Sequence, residues 1–193
     1  MKRICVFCGS SAGDDKRYLT AAADFGKALA DAGIGLVCGG SRMGLMGRLA
    51  GTIQQAGGEV IGVVPGVLMR RELPFQEVAD LRVVQSMHER KTVMAELSDA
   101  FVALPGGLGT LEAFTELLTW GQLGLHQKPC GILNTSGYYD PLITFYDHAM
   151  KEGFLSRSSR EMILVDANAE KLIEQLRGYV APDLPKWLDQ GET

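Results

Sequence analysis

The stretch Ala103-Leu104-Pro105-Gly106-Gly107-Leu108-Gly109-Thr110-Leu111-Glu112 has the residue types and spacing to do chemistry. Glycines fill three of the four positions from Gly106 to Gly109, and glycine lets main-chain N–H groups come close to a ligand. The apolar run Ala100–Leu104 predicts a buried strand before the turn. The pattern from Thr110 through Trp120 predicts a helix after it. Such a unit builds an anion site from backbone alone: N–H groups face the ligand and the helix points its positive end at it. The turn lacks the Gly-Lys-Ser/Thr of a Walker loop and the spacing of a dinucleotide fingerprint. A tight turn needing positive φ would also use glycines. It would not also need Thr110 at the helix start and a carboxylate, Glu112, in the first helical turn.

Two more glycine-dense segments follow predicted strands. Gly9-Ser10-Ser11-Ala12-Gly13 comes after the apolar run Arg3–Cys8, and Gly39-Gly40-Ser41-Arg42-Met43-Gly44-Leu45-Met46-Gly47 comes after Leu36–Cys38. Ser86-Met87-His88-Glu89 fits a capping box, with Ser86 as N-cap and Glu89 reaching back. Arg90 and Lys91 then sit near the start of a helix, where the macrodipole disfavours cations. Their placement suggests an anion nearby; an ordinary solvated face is the alternative. On the helix after Thr110, Leu111, Phe114 and Leu118 should pack on the sheet. Glu112, Glu116 and Thr119 form a separate polar stripe beside the glycine turn, which solvent would explain equally well unless the stripe points into a cleft.

Around these residues strand and helix alternate along almost the whole chain. Tyr18, Ala22, Phe25, Leu29 and Ala32 recur at helical spacing until Gly33 stops the helix. Further strands are predicted at Glu59–Val64, Leu81–Gln85, Pro129–Leu133 and Met162–Val165. Further helices are predicted from Gly44 to about Ala56, from Ser86 to Ser98, at Tyr138–Lys151 and at Glu170–Tyr179. Pro65 to Asp80 reads as a long loop. The fold class is α/β, a Rossmann-like doubly wound parallel sheet with helices on both faces. The expected layout is one nucleotide-binding domain over residues 1–180 and a surface tail over 181–193. In such sheets ligands bind outside the carboxyl ends of the strands, which is where the glycine segments would gather.

Composition narrows the function. The chain has 193 residues, 46% hydrophobic and 22% charged, with a formal net charge of −4. No duplex-binding footprint is expected, so no nucleic-acid partner is called. No run nears the roughly 18 apolar residues of a spanning helix, so no membrane partner is called either. Cys5 and Cys8 lie three apart on one strand and so face opposite ways, poorly placed for a redox couple. All four cysteines sit in or beside apolar runs, and with no signal segment seen a cytoplasmic protein is expected. His88, His126 and His148 lack ligand spacing, so no metal is expected.

The chain resembles a known family. Pro105-Gly106-Gly107-Leu108-Gly109-Thr110 is similar to the core of the P-G-G-x-G-T-x-x-E signature of the LOG ("Lonely Guy") proteins. Cys5-Val6-Phe7-Cys8-Gly9-Ser10-Ser11, Gly44-Leu45-Met46-Gly47, Met87-His88-Glu89-Arg90-Lys91 and Thr119-Trp120-Gly121-Gln122-Leu123-Gly124 resemble further family blocks, in matching order over roughly Lys2 to Tyr179. The resemblance implies a cytokinin riboside 5′-monophosphate phosphoribohydrolase, cutting the N-glycosidic bond of an N6-modified AMP, and of AMP, to free base and ribose 5-phosphate. It implies a homodimer with sites at the subunit interface and no cofactor. The family's older label of lysine decarboxylase finds no pyridoxal phosphate site in these residues. A non-catalytic nucleotide or cofactor carrier on the same type of sheet is the competing reading.

Carried over by resemblance, the substrate-binding residues are Glu72, Arg90, Lys91, Gly106, Gly107, Leu108, Gly109, Thr110, Leu111, Glu112 and Thr119. The catalytic positions are Arg90 and the signature's last Glu, which falls on position 113. There this chain has Ala113, and alanine can neither accept a proton nor stabilise a cation. Three readings stay open: Glu112 or Glu116 supplies the carboxylate, the chain binds nucleotide with weakened turnover, or the alanine is an introduced inactivating change.

Overall fold

The computed structural model describes residues 1–69 and 80–182. Glu72 and residues 183–193 lie outside the described residues, and with them one expected substrate contact and most of the expected tail. Among the described residues seven strands form one parallel sheet: β1 (Arg3–Phe7), β2 (Gly35–Cys38), β3 (Val60–Pro65), β4 (Asp80–Val84), β5 (Ala100–Ala103), β6 (Cys130–Leu133) and β7 (Ile163–Asp166). Their order across the sheet is β4-β3-β2-β1-β5-β6-β7, and every pairing is parallel.

Strand side chains alternate between two cores, as a pleated sheet covered on both faces requires. Ile4, Val6 and Cys8 join one core with α1 (Lys16–Asp31), α2 (Gly44–Gln55) and α7 (Ala169–Gly178). Cys5 and Phe7 join the other with α3 (Met87–Glu96), α4 (Leu108–Gln122) and α5 (Asp140–Lys151). The doubly wound reading therefore holds, and Cys5 and Cys8 do lie in opposite layers. Phe114 is fully buried and fixes α4 to the sheet; truncating such a ring to alanine costs about 3–5 kcal/mol.

The chain runs outward from β1 through β2 and β3 to β4, then returns to place β5 on the other side of β1. The β1/β5 boundary is thus the switch point, where diverging connections open a crevice at the strand ends. The turn after β1 holds Gly9, and the turn after β5 holds Gly106.

Local signals explain most boundaries. Asp15 caps α1 by accepting from Arg17 N at 2.9 Å, and Gly33 at φ 66° ends that segment. Ser86 caps α3 as expected, accepting from Glu89 N at 3.1 Å. Glu89, however, reaches one residue further back than a capping box predicts, accepting from Gln85 N. The helix expected from Tyr138 starts at Asp140 instead. Asn134 accepts from Tyr139 N at 2.8 Å and donates to Asp140 Oδ1 at 2.7 Å. These bonds hold a turn with Ser136 and Gly137 in the left-handed region, φ 53° and 73°. A further short helix, α6 (Arg157–Glu161), had no periodic signal to betray it.

Candidate functional site

A cavity of about 350 Å³ opens at the carboxyl ends of β1, β2 and β5. Gly107, Leu108, Gly109 and Thr110 line it, together with Arg90, Lys91, Glu112 and Ala113. Gly9 and Ser10 from the first glycine segment and Gly39 and Ser41 from the second line it too. The three segments that sequence alone placed after strands therefore do meet at one edge.

They meet backbone to backbone. Gly9 N donates to Pro105 O at 3.0 Å, and a Cβ on Gly106 would stand 2.9 Å from Gly9 N and 2.1 Å from Thr110 Oγ1. Glycine at 106 is required by that approach. Thr110, 6% exposed, packs its side chain into the space so left.

At the start of α4, Gly107 is the N-cap and offers no side chain. Its carbonyl accepts from Thr110 N and Leu111 N, both at 3.1 Å. The N–H groups of Leu108 and Gly109 find no acceptor among the described residues. Two uncapped donors at the positive end of a 15-residue helix, facing a cavity, make an anion cradle.

Arg90 reaches across the sheet edge. Its Nε donates to Val63 O at 2.9 Å and its Nη2 to Gly39 O at 2.8 Å. A Cβ on Gly39 would lie 2.1 Å from that nitrogen, so the glycine makes room for the guanidinium. Two carbonyls at strand ends hold the planar fork in one orientation at the cavity wall.

Lys91 behaves otherwise. It is only 6% exposed and lies between two carboxylates of α4, Glu112 Oε1 at 2.5 Å and Glu116 Oε2 at 2.7 Å. The second is an ion pair rather than an aligned hydrogen bond. Burial pulls the ammonium's pKa down, but the two carboxylates outweigh it and the net shift is upward from 10.5. The charge expected to face a ligand anion is thus largely spent inside the protein, fixing Glu112 and Glu116. The polar stripe on α4 is accordingly not merely a solvated face: Glu112 lines the cavity and Glu116 braces the lysine behind it.

The remaining expected residues divide. Ala113 lines the cavity with its methyl group partly in the core. Leu111 packs against the core and Gly106 supports the turn from behind; neither is part of the cavity lining. Thr119 stands exposed about three turns along α4, its hydroxyl donating to Thr115 O at 2.9 Å, and is not part of the cavity lining. Tyr138 and Tyr139 were missed; they bond to the back of the glycine turn. Their spacing from Asn134 and Asp140 was the available signal, but a tyrosine pair beside a helix start reads equally well as packing.

Residues 46–176 match the family model described as "Possible lysine decarboxylase". The chain is 49% identical over 178 residues to cytokinin riboside 5′-monophosphate phosphoribohydrolase LOG3 of Arabidopsis thaliana, covering 92% of this chain and 83% of that protein. It is 48% identical over 179 residues to cytokinin riboside 5′-monophosphate phosphoribohydrolase LOG of Oryza sativa subsp. japonica, covering 93% and 74%. Among solved structures it is similar to the molybdenum cofactor carrier protein of Chlamydomonas reinhardtii, at 24% identity and a TM-score of 0.70, covering 92% of this chain and 99% of that one. The molybdenum cofactor binding protein of Rippkaea orientalis is similar at 22% identity and a TM-score of 0.69, covering 92% and 97%. At those identities the two structures speak for the fold alone.

Proposed function

The chain belongs to the LOG family of cytokinin riboside 5′-monophosphate phosphoribohydrolases, and from that premise we propose that it hydrolyses the N-glycosidic bond of N6-modified adenosine 5′-monophosphates and of AMP. One observation carries the reading: the open N–H groups of Leu108 and Gly109, the guanidinium of Arg90 and the carboxylate of Glu112 all border one cavity. A phosphorylated ribose needs that set. The α4 N-terminus takes the 5′-phosphate. A carboxylate near C1′ opposes the positive charge of an oxocarbenium-like transition state and orders the attacking water. Arg90 contacts the nucleotide and helps the purine leave by donating hydrogen bonds; it cannot act as the acid, because guanidinium does not give up its proton in proteins.

Ala113 leaves the carboxylate to Glu112. Of the two acids on that stripe, Glu112 is the one in the cavity wall, and Lys91 holds it there. Lys91 in turn is ill suited to the Schiff base a lysine decarboxylase would need. That chemistry wants a neutral amine, and this ammonium is kept charged by two carboxylates.

We place the reaction in a cytoplasmic homodimer whose 1–180 span works as one nucleotide-binding unit. Support for pairing lies in apolar surface near the cavity: Leu108 is 87% exposed and Met87 44%. The test is to supply AMP and an N6-modified AMP and to quantify free base and ribose 5-phosphate. Release of base in step with ribose 5-phosphate supports the hydrolase. Binding without any release supports the carrier reading, which Ala113 alone favours.

A further inference from the structure

The phosphate turn has a carbonyl side as well as an N–H side, and every carbonyl from residue 104 to 107 is occupied. Leu104 O accepts from Tyr139 Oη at 2.7 Å. Pro105 O accepts from Gly9 N at 3.0 Å. Gly106 O accepts from Tyr138 Oη at 2.8 Å. Gly107 O accepts from Thr110 N and Leu111 N. Two of these four come from side chains of one short segment, the turn that follows β6, the strand paired with β5.

That segment is built for the purpose. Asn134 and Asp140 lock the turn, and a Cβ on Gly137 would meet Asp140 Oδ2 at 2.5 Å. Tyr138 is then held edge-on between Tyr18, centroids 5.5 Å apart, and Tyr139, 4.8 Å apart. Tyr139 is almost fully buried, and burial pushes its pKa well up, so its hydroxyl keeps the proton it donates. Tyr138 is 39% exposed.

From this geometry we infer that Tyr138, seconded by Tyr139, is a positioning residue for the phosphate site: its hydroxyl ties back the Gly106 carbonyl and so holds the Gly107 N–H in the same peptide plane at the cavity wall, fixing the approach of the chain to the Leu108 and Gly109 donors. A peptide plane is rigid, so fixing a carbonyl on one side of the turn restricts the orientation of the next N–H. Glycines at 106 and 107 gain the freedom to flip that a cradle must suppress. An anchored turn meets its ligand without a reorganisation cost. The inference rests on the phosphate reading given above.

The test uses the whole protein and two probes, ribose 5-phosphate and ribose, with binding measured by calorimetry in wild type and Tyr138→Phe. The phenylalanine keeps both ring contacts and loses only the hydroxyl. The expected result is a roughly five- to tenfold loss of ribose 5-phosphate affinity, the usual effect of one neutral hydrogen bond. Thermal stability should fall only slightly, as the loss of one half-exposed hydrogen bond requires, and KM for the nucleotide should rise more than kcat falls. Affinity equal to wild type overturns the role of Tyr138 while leaving the phosphate site standing. Failure of wild type itself to prefer ribose 5-phosphate over ribose overturns the phosphate reading, and this inference with it. Tyr139→Phe, read the same way, decides the matter if Tyr138→Phe does not fold.

Discussion

Two strand–glycine–helix junctions in this protein resemble each other in sequence and differ in what they leave open. The start of α2 and the start of α4 both follow a buried strand, both are rich in glycine, and neither N-cap residue supplies a side-chain cap. At α2, Leu45 N and Met46 N both donate to Gly9 O, at 3.1 and 3.4 Å. That helix end is closed by backbone from the neighbouring turn. At α4 the Leu108 and Gly109 N–H groups find no acceptor among the described residues and lie at the cavity. A glycine-dense turn is therefore a licence for close approach, and what approaches decides its role. At α2 it is the β1 loop, and at α4 it is solvent or a ligand.

The largest expected break in this contrast is chemical. Glu112→Gln keeps the hydrogen bond to Lys91 but removes the charge that would oppose an oxocarbenium. Turnover should fall by roughly 10²–10⁴-fold with nucleotide affinity nearly retained, as steady-state kinetics on AMP would show. A normal turnover number would move the carboxylate role to Glu116 or elsewhere.

A second change tests the open junction alone. Leu108 is the first residue of α4, where proline is well tolerated because its missing N–H has no helical partner. Leu108→Pro should therefore fold normally while deleting one cradle donor. Loss of a hydrogen bond to a charged phosphate predicts roughly ten- to hundredfold weaker binding of ribose 5-phosphate by calorimetry. Unaltered binding would mean that the phosphate sits elsewhere.

A third pair of variants sets the two junctions side by side. Gly44, at φ 58°, would carry a Cβ only 2.4 Å from the Ser10 carbonyl carbon. Gly44→Ala should destabilise by about 1–3 kcal/mol in denaturant unfolding. Gly109 has nothing within 4 Å of its added Cβ. Gly109→Ala should be neutral or stabilise by up to about 1 kcal/mol. Equal costs at both sites would erase the distinction between closed and open.

The smallest effect is alkaline. Lys91 is raised in the folded state from 10.5 by Glu112 and Glu116, against the pull of burial. The folded state thus holds that proton more tightly than the unfolded chain does. Its contribution to stability is whole below pH 10.5 and is lost as pH climbs through the raised pKa. Thermal unfolding on either side of pH 10.5 should show the fall, and in Glu116→Gln it should begin at lower pH.

Much of this was legible in the sequence. The alternation of strands and helices, the two-layer burial, the Ser86 cap and the gathering of glycine turns at one edge all follow from local pattern. What stayed hidden depends on partners distant in the chain. No local signal says that Gly9 O closes α2, that Tyr138 reaches back 32 residues to Gly106, or that Lys91 lies between Glu112 and Glu116. Arg90 and Lys91 looked alike as adjacent cations on one helix. Successive helical residues point about 100° apart, and that rotation sends one to strand-end carbonyls and the other to α4.

Cocrystals with ribose 5-phosphate would test the distinction most directly. The account predicts phosphate oxygens at about 2.7–3.2 Å from the Leu108 and Gly109 nitrogens, with the ribose directed toward Arg90 and Glu112. A phosphate bound at the start of α2, or away from both helices, would contradict it.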